Sequence, residues 1–132
     1  MWVDDLSVVL GGRAIGWLDG AHDFPRGTVS PIFFERLGEL ASDPFEPFTA
    51  GGWHDCTVCQ FAEARDGRNL FVPSGGFLYV APVLIVHYIA AHSYTPPTEF
   101  VRAVEACPDT RSMEYKKLFL ANGGRALLRP PA

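Results

Sequence analysis

The sequence predicts an α+β fold: a small antiparallel sheet of two hairpins, packed by three to four helices. Three observations predict it. Apolar segments flanking Gly11-Gly12 and Gly75-Gly76 read as strand pairs folded about glycine turns. Later stretches opening at Ser30-Pro31, Pro82 and Thr95-Pro96 carry apolar side chains at helical spacing behind an N-terminal proline. Between these sets lies Cys56-x-x-Cys59, a turn that could be tied to a neighbouring helix by a metal.

The first hairpin is expected from WVDDLSVVL, the Gly11-Gly12 turn and RAIGWLD. The Pro- and Gly-containing run from His22 to Pro31 reads as loop. Ser30 is then the N-cap and Pro31 the first residue of a helix ending near Ser42, before Pro44, with Ile32, Phe33, Leu37 and Leu40 at helical spacing and Glu35, Arg36 and Glu39 on the other face. NLFV, PSGG and FLYV form the second hairpin. PVLIVHYIAAH, from Pro82, is apolar nearly all round and predicts a buried helix. Thr95 as N-cap and Pro96 open the next helix, with Phe100, Val101, Ala103 and Val104 inward and Glu99, Arg102 and Glu105 wet. A last helix is expected over 112–121, stopped by Asn122-Gly123-Gly124, with an irregular tail after it.

At 132 residues the chain is the size of one domain, and 48% hydrophobic with 20% charged residues argues against disorder. The opening Met-Trp-Val-Asp-Asp lacks a basic n-region, so a secretory signal is not expected. The apolar run 77–91, interrupted by Pro82 and His87, is too short for a bilayer, which needs about 20 apolar residues. A soluble, cytoplasmic protein is the expectation, and three cysteines, two in one C-x-x-C, suit a reducing compartment. The net charge of −4 is unevenly spread: residues 111–132 carry +4 and the remainder −8.

The stretch WHDCTVCQF holds the strongest chemical signal. Tetrahedral zinc is commonly held by two thiolates on a tight turn and two further ligands from elsewhere, and Cys56-Thr57-Val58-Cys59 supplies the turn. A thioredoxin-like redox pair shares that spacing, but belongs between a strand and a helix, and here an irregular loop comes first. His87 sits in an apolar helix, where a buried imidazole must satisfy both ring nitrogens; a metal on one would do so. For the fourth ligand His54 and His92 compete. In an extended segment His54 points the same way as Cys56, which favours it. His92 lies five residues after His87, roughly 140° around a regular helix, although helix-end distortion accommodates such pairs and His92 could instead cap the C-terminus. The expected ligands are therefore His54, Cys56, Cys59 and His87, with His92 as the alternative. Two thiolates neutralise zinc, so a closed, structural site can lie under an apolar helix.

The segments GWLDGAHDFPRG (16–27), WHDCTVC (53–59) and LIVHYIAAHSYTPPTEFVRAV (84–104) resemble an uncharacterised bacterial domain family frequent in actinobacteria. Its pattern joins H-x-C-x-x-C to H-Y-x-x-x-H-x-Y-x-P-P-x-E-F, here His54, Cys56 and Cys59 followed by His87, Tyr88, His92, Tyr94, Pro96, Pro97, Glu99 and Phe100. The resemblance covers roughly 13–105 and implies a small zinc domain without a known activity.

No G-x-S-x-G, Walker loop, H-E-x-x-H or dinucleotide fingerprint is present. The leading expectation is a zinc-stabilised binding or accessory domain for an unknown protein or small-molecule ligand. The alternative is a zinc hydrolase or lyase with Cys56, Cys59, one histidine and water on the metal, and His92, Asp55 or Glu99 as proton-transfer partner. Nucleic-acid binding is disfavoured by the acidic body and by the long Cys59–His87 gap. His22-Asp23 reads as surface polarity, Cys107 as a small buried hydrophobe, and Trp53 and Tyr94 as aromatic packing near the cysteines.

Overall fold

The computed structural model describes residues 2–9, 11–46, 54–59 and 65–128, with the side chain of His54 outside that description. Strands β1 (Val8–Val9) and β2 (Gly12–Ala14) form the first hairpin, and β5 (Asn69–Ser74) with β6 (Phe77–Pro82) the second. Between them lie helix α1 (Pro31–Ser42) and the two-residue strands β3 (His54–Asp55) and β4 (Arg65–Asp66), which pair antiparallel. Helices α2 (Ile85–His92), α3 (Thr98–Ala106) and α4 (Met113–Phe119) follow, then a kinked segment (Leu120–Gly124) and a final turn α5 (Arg125–Leu127). No helix among the described residues is long and apolar enough to cross a membrane.

The main sheet runs β1-β2-β6-β5. Both expected hairpins form, but β2 joins β6 in parallel, pairing Arg13 with Tyr79 and Ala14 with Val80, so the sheet is mixed. The connection explains this. More than sixty residues separate β2 from β6, and only such a crossover returns a strand in the same direction. The indole Nε1 of Trp17 donates to Val80 O at 3.0 Å and Ile15 N to the same oxygen at 3.0 Å, tightening the seam. In the second hairpin Gly75 (φ +64°) and Gly76 (φ +98°) supply the two left-handed residues that a two-residue turn matching strand twist demands.

Helix α1 begins as its sequence dictates: Ser30 Oγ accepts from Phe33 N at 3.1 Å, with Pro31 following. Ile32, expected on its apolar face, is exposed in the first turn, whereas buried Phe33 meets Phe100 of α3 edge to face, and Phe100 in turn meets Tyr79. Tyr79 and Phe71 fall on opposite faces of the hairpin by strand alternation. Phe71 therefore packs against a different layer, Phe119 at the end of α4, and the Tyr115 hydroxyl donates to Phe71 O at 2.6 Å.

Two helix starts differ from expectation. Pro82 ends β6 opposite Asn69, Val83 N donates to Arg68 O at 2.9 Å, and α2 starts at Ile85. The apolar run therefore serves as strand and then as helix, which periodicity cannot separate. Helix α3 starts at Thr98 behind Pro97, because Thr95 N is drawn to Pro25 O at 2.9 Å and its segment stays extended. Phe100, Ala103 and Val104 are buried and Glu99, Arg102 and Glu105 exposed, as their spacing requires. Ser112 caps α4. Asn122 and Gly123 (φ +106°) leave helical geometry where the stop was expected, but the chain resumes a turn over Arg125–Leu127.

Candidate metal centre

Four side chains from two elements converge. Cys56 and Cys59 come from the turn after β3, and His87 and His92 from α2; one ligand atom of each lies within 4.8 Å of all the others. Cys59 Sγ stands 3.0 Å from His87 Nε2 and 2.8 Å from His92 Nε2, and Cys56 Sγ 3.5 Å from His92 Nε2. The imidazole planes cross at 78° with centroids 5.1 Å apart. Bonds of about 2.3 Å to sulfur and 2.0 Å to nitrogen place tetrahedral neighbours roughly 3.3–3.8 Å apart. The Cys56–His92 distance falls in that range and the two Cys59 distances are shorter, so Cys59 and the imidazoles would part by about half an ångström around an ion; the donor set suits a four-coordinate ion, and the cluster could hold a metal.

The helix end brings the histidines together despite their spacing. Ser93 adopts a left-handed conformation (φ 58°), and Tyr94 N returns to Tyr88 O at 3.2 Å, so α2 stops immediately after His92. The 18–27 loop holds that end. Gly27 N donates to Ser93 O at 2.9 Å, Arg26 Nη1 to His92 O at 3.1 Å, and the Arg26 guanidinium lies 4.1 Å over the Phe24 ring. The same loop reaches the cysteine turn: Gly20 N donates to Thr57 Oγ1 at 3.0 Å. A Cβ on Gly20 would lie 2.5 Å from Thr57 O, so only glycine allows this approach. Tyr94, fully buried, donates to Asp5 Oδ2 at 2.8 Å, while Asp5 Oδ1 accepts from Gly16 N, anchoring the chain after His92 to the first hairpin.

The surroundings disfavour charge on two of the four donors, Cys59 and His92. Burial pushes the Cys59 thiol above its ordinary range, and the adjoining Cys56 adds to this. Burial lowers His92 below the usual imidazole value, with the positive charges of His87 and Arg26 contributing. Tyr88 is pushed up to about 12 by burial and then by negative charge at Cys56, Asp19 and Cys59. The Cys59 thiol and the His92 imidazole are therefore both favoured neutral.

Of the two imidazoles competing for the fourth position, His92 joins the cluster; the side chain of His54 lies outside the described residues, as does Trp53. His87 is half-buried rather than buried, because α2 exposes Ala90 and Ala91 and so has a wet side. The three residues named as proton-transfer partners in the alternative reading have these surroundings. His92 lies within the cluster, Asp55 pairs with Arg65 at 2.7 Å, and Glu99 accepts from the Tyr79 hydroxyl at 2.7 Å. His22 pairs not with Asp23 but with Asp19, its Nδ1 2.7 Å from Oδ1, and stacks on Trp2 at 4.7 Å. Cys107 is buried and its thiol pushed up to about 11 by burial, as befits a small apolar side chain. Sequence reasoning missed Gly20 and Arg26; the i, i+6 pair of a glycine and an arginine in a loop carries no signal until the loop is seen bridging both halves of the cluster.

These features define a small α+β domain with a two-cysteine, two-histidine cluster capable of holding a metal. Residues 5–105 match the family described as Domain of unknown function (DUF7919), and the chain belongs to it. All four cluster residues lie inside that match, and α4 and α5 lie outside it. No curated protein and no solved structure matches the chain.

Proposed function

We propose that Cys56, Cys59, His87 and His92 bind one zinc ion whose role is structural, in a domain that acts as a binding or accessory protein. The observation that carries this reading is the convergence of two Nε2 atoms on one Sγ at 2.8 and 3.0 Å. Sulfur is a weak hydrogen-bonding partner, and a shared cation accounts for the whole arrangement at once. Four protein donors fill a tetrahedral shell and leave no site for water, and two thiolates cancel the ion's charge. The ion ties the cysteine turn to the end of α2, where β3 and β4 contribute only two residues each. A reducing bacterial cytoplasm suits such thiolates. The occupant of the binding role is an unidentified protein or small molecule.

Substitution of the competing histidines tests the ligand set. His92→Ala is expected to weaken zinc binding at least tenfold, and His54→Ala to leave it within about twofold. Loss of binding in His54→Ala with retention in His92→Ala would transfer the fourth position to His54.

A further inference from the structure

We propose that the cluster is a redox switch: peroxide joins Cys56 to Cys59 as a disulfide, expels the zinc and unfastens the cysteine turn from α2. The inference rests on the zinc reading above. How the donors are divided carries it. Both thiols come from the turn after β3 and both imidazoles from α2, and the four ligand atoms lie within 4.8 Å of one another. Had each element supplied one cysteine, oxidation would exchange the ion for a covalent tie between the elements. Here the disulfide open to the cluster closes within the turn, so oxidation uncouples the two elements instead of linking them.

Access sets the order of events. Cys59 is half-buried and open to a small oxidant, whereas Cys56 is 7% exposed and adjoins it as the resolving thiol. Cys107 is no competitor, being buried after α3 and outside the cluster, with its thiol held protonated by burial. With the ion gone, the turn keeps the Gly20–Thr57 bond, the packing of Val58 and the two-residue β3–β4 pairing. The β5–β6 hairpin, paired over six residues, loses nothing.

The chemistry balances with peroxide as the oxidant. The Cys59 thiolate attacks one peroxide oxygen, the O–O bond breaks, and hydroxide leaves behind a sulfenic acid on Cys59. The Cys56 thiolate then attacks the Cys59 sulfur, forming the S–S bond and expelling a second hydroxide. Two electrons pass from the thiolates to peroxide, and two solvent protons turn the hydroxides into water. The ion is left without either of its negative donors and departs. A dithiol reductant returns both thiols and lets zinc bind again.

The test treats the zinc-loaded full chain with about a tenfold molar excess of hydrogen peroxide. Zinc release is followed with a chromophoric pyridylazo-resorcinol chelator, and the disulfide is located by peptide mapping. One zinc is expected to leave for each Cys56–Cys59 bond formed, with Cys107 still reduced; dithiothreitol and added zinc should restore the loaded chain. Amide exchange over the Cys56–Cys59 turn should quicken at least tenfold while β5 and β6 keep their protection. Cys107→Ala should respond as the unsubstituted chain does. A loaded chain that keeps its ion under peroxide overturns the switch, as do sulfinic acids or bonds to Cys107 in place of the expected disulfide. Release that leaves exchange at the turn unchanged overturns it too. A chain without zinc, recognised by metal content before oxidant is added, overturns the underlying zinc reading and the switch together.

Discussion

The hairpin layer and the cysteine corner of this molecule are held by different means. In the first, β5 and β6 pair over six residues each, and Phe33, Phe100, Tyr115 and Phe119 are almost wholly buried around them. In the second, β3 and β4 pair over two residues each, and the turn is positioned by one backbone-to-hydroxyl bond from Gly20 and four converging side chains. Packing makes the first self-sufficient, since buried aromatic area dominates core energetics. At the corner Cys56 belongs to the core and Val58 and Cys59 pack against it, and on the proposed reading a coordinated ion adds to that contact. On the proposed reading the domain is a conventional core with a metal-stapled corner.

The comparison can be broken from either side. The largest effect is expected in the core: Phe100→Ala removes the ring between Phe33 and Tyr79 and should cost about 3–5 kcal/mol, read as a lower denaturant midpoint with zinc bound or absent. Chelation comes next. With zinc at a hundredfold its Kd the linkage is worth about 2.7 kcal/mol, so a chelator should lower Tm by several degrees in calorimetry while the hairpin amides keep their hydrogen-exchange protection. Equal loss of protection in both regions would dissolve the distinction.

Gly20→Ala sharpens it further. The added methyl meets Thr57 O, so the turn must shift; zinc affinity should fall several-fold in competition titration, and stability in chelator should change by less than about 1 kcal/mol. The smallest effect concerns pH. The Cys59 thiol is raised and so holds its proton at neutral pH until metal displaces it, whereas His92 is lowered and already neutral. Zinc affinity should therefore rise with pH, roughly tenfold per unit for each proton released, and isothermal titration in buffers of different ionisation enthalpy should record that release.

Most of the core layer was legible because each local signal agreed with its neighbours. Ser30-Pro31 marked the start of α1, Gly75-Gly76 the turn, and Phe100, Ala103 and Val104 the inward face of α3. Pro82 misled because an apolar run serves strand and helix alike, and the parallel β2–β6 contact joins residues too distant for any local pattern to announce. At the cluster, the cysteine turn and His87 could be read directly. His92 ranked second because a regular helix sets it about 140° from His87; the calculation treats Cα directions, whereas two long imidazoles at a helix end reach a common point. Gly20, Arg26 and Asp5 act through backbone contacts, which no residue type reveals in advance.

The most direct measurement is zinc stoichiometry together with zinc-edge X-ray absorption on protein purified without added metal. One zinc per chain with two sulfur and two nitrogen neighbours is the expected result. A folded, metal-free chain whose melting is indifferent to chelator, or a shell of three protein donors and an exchangeable oxygen, would contradict the structural staple.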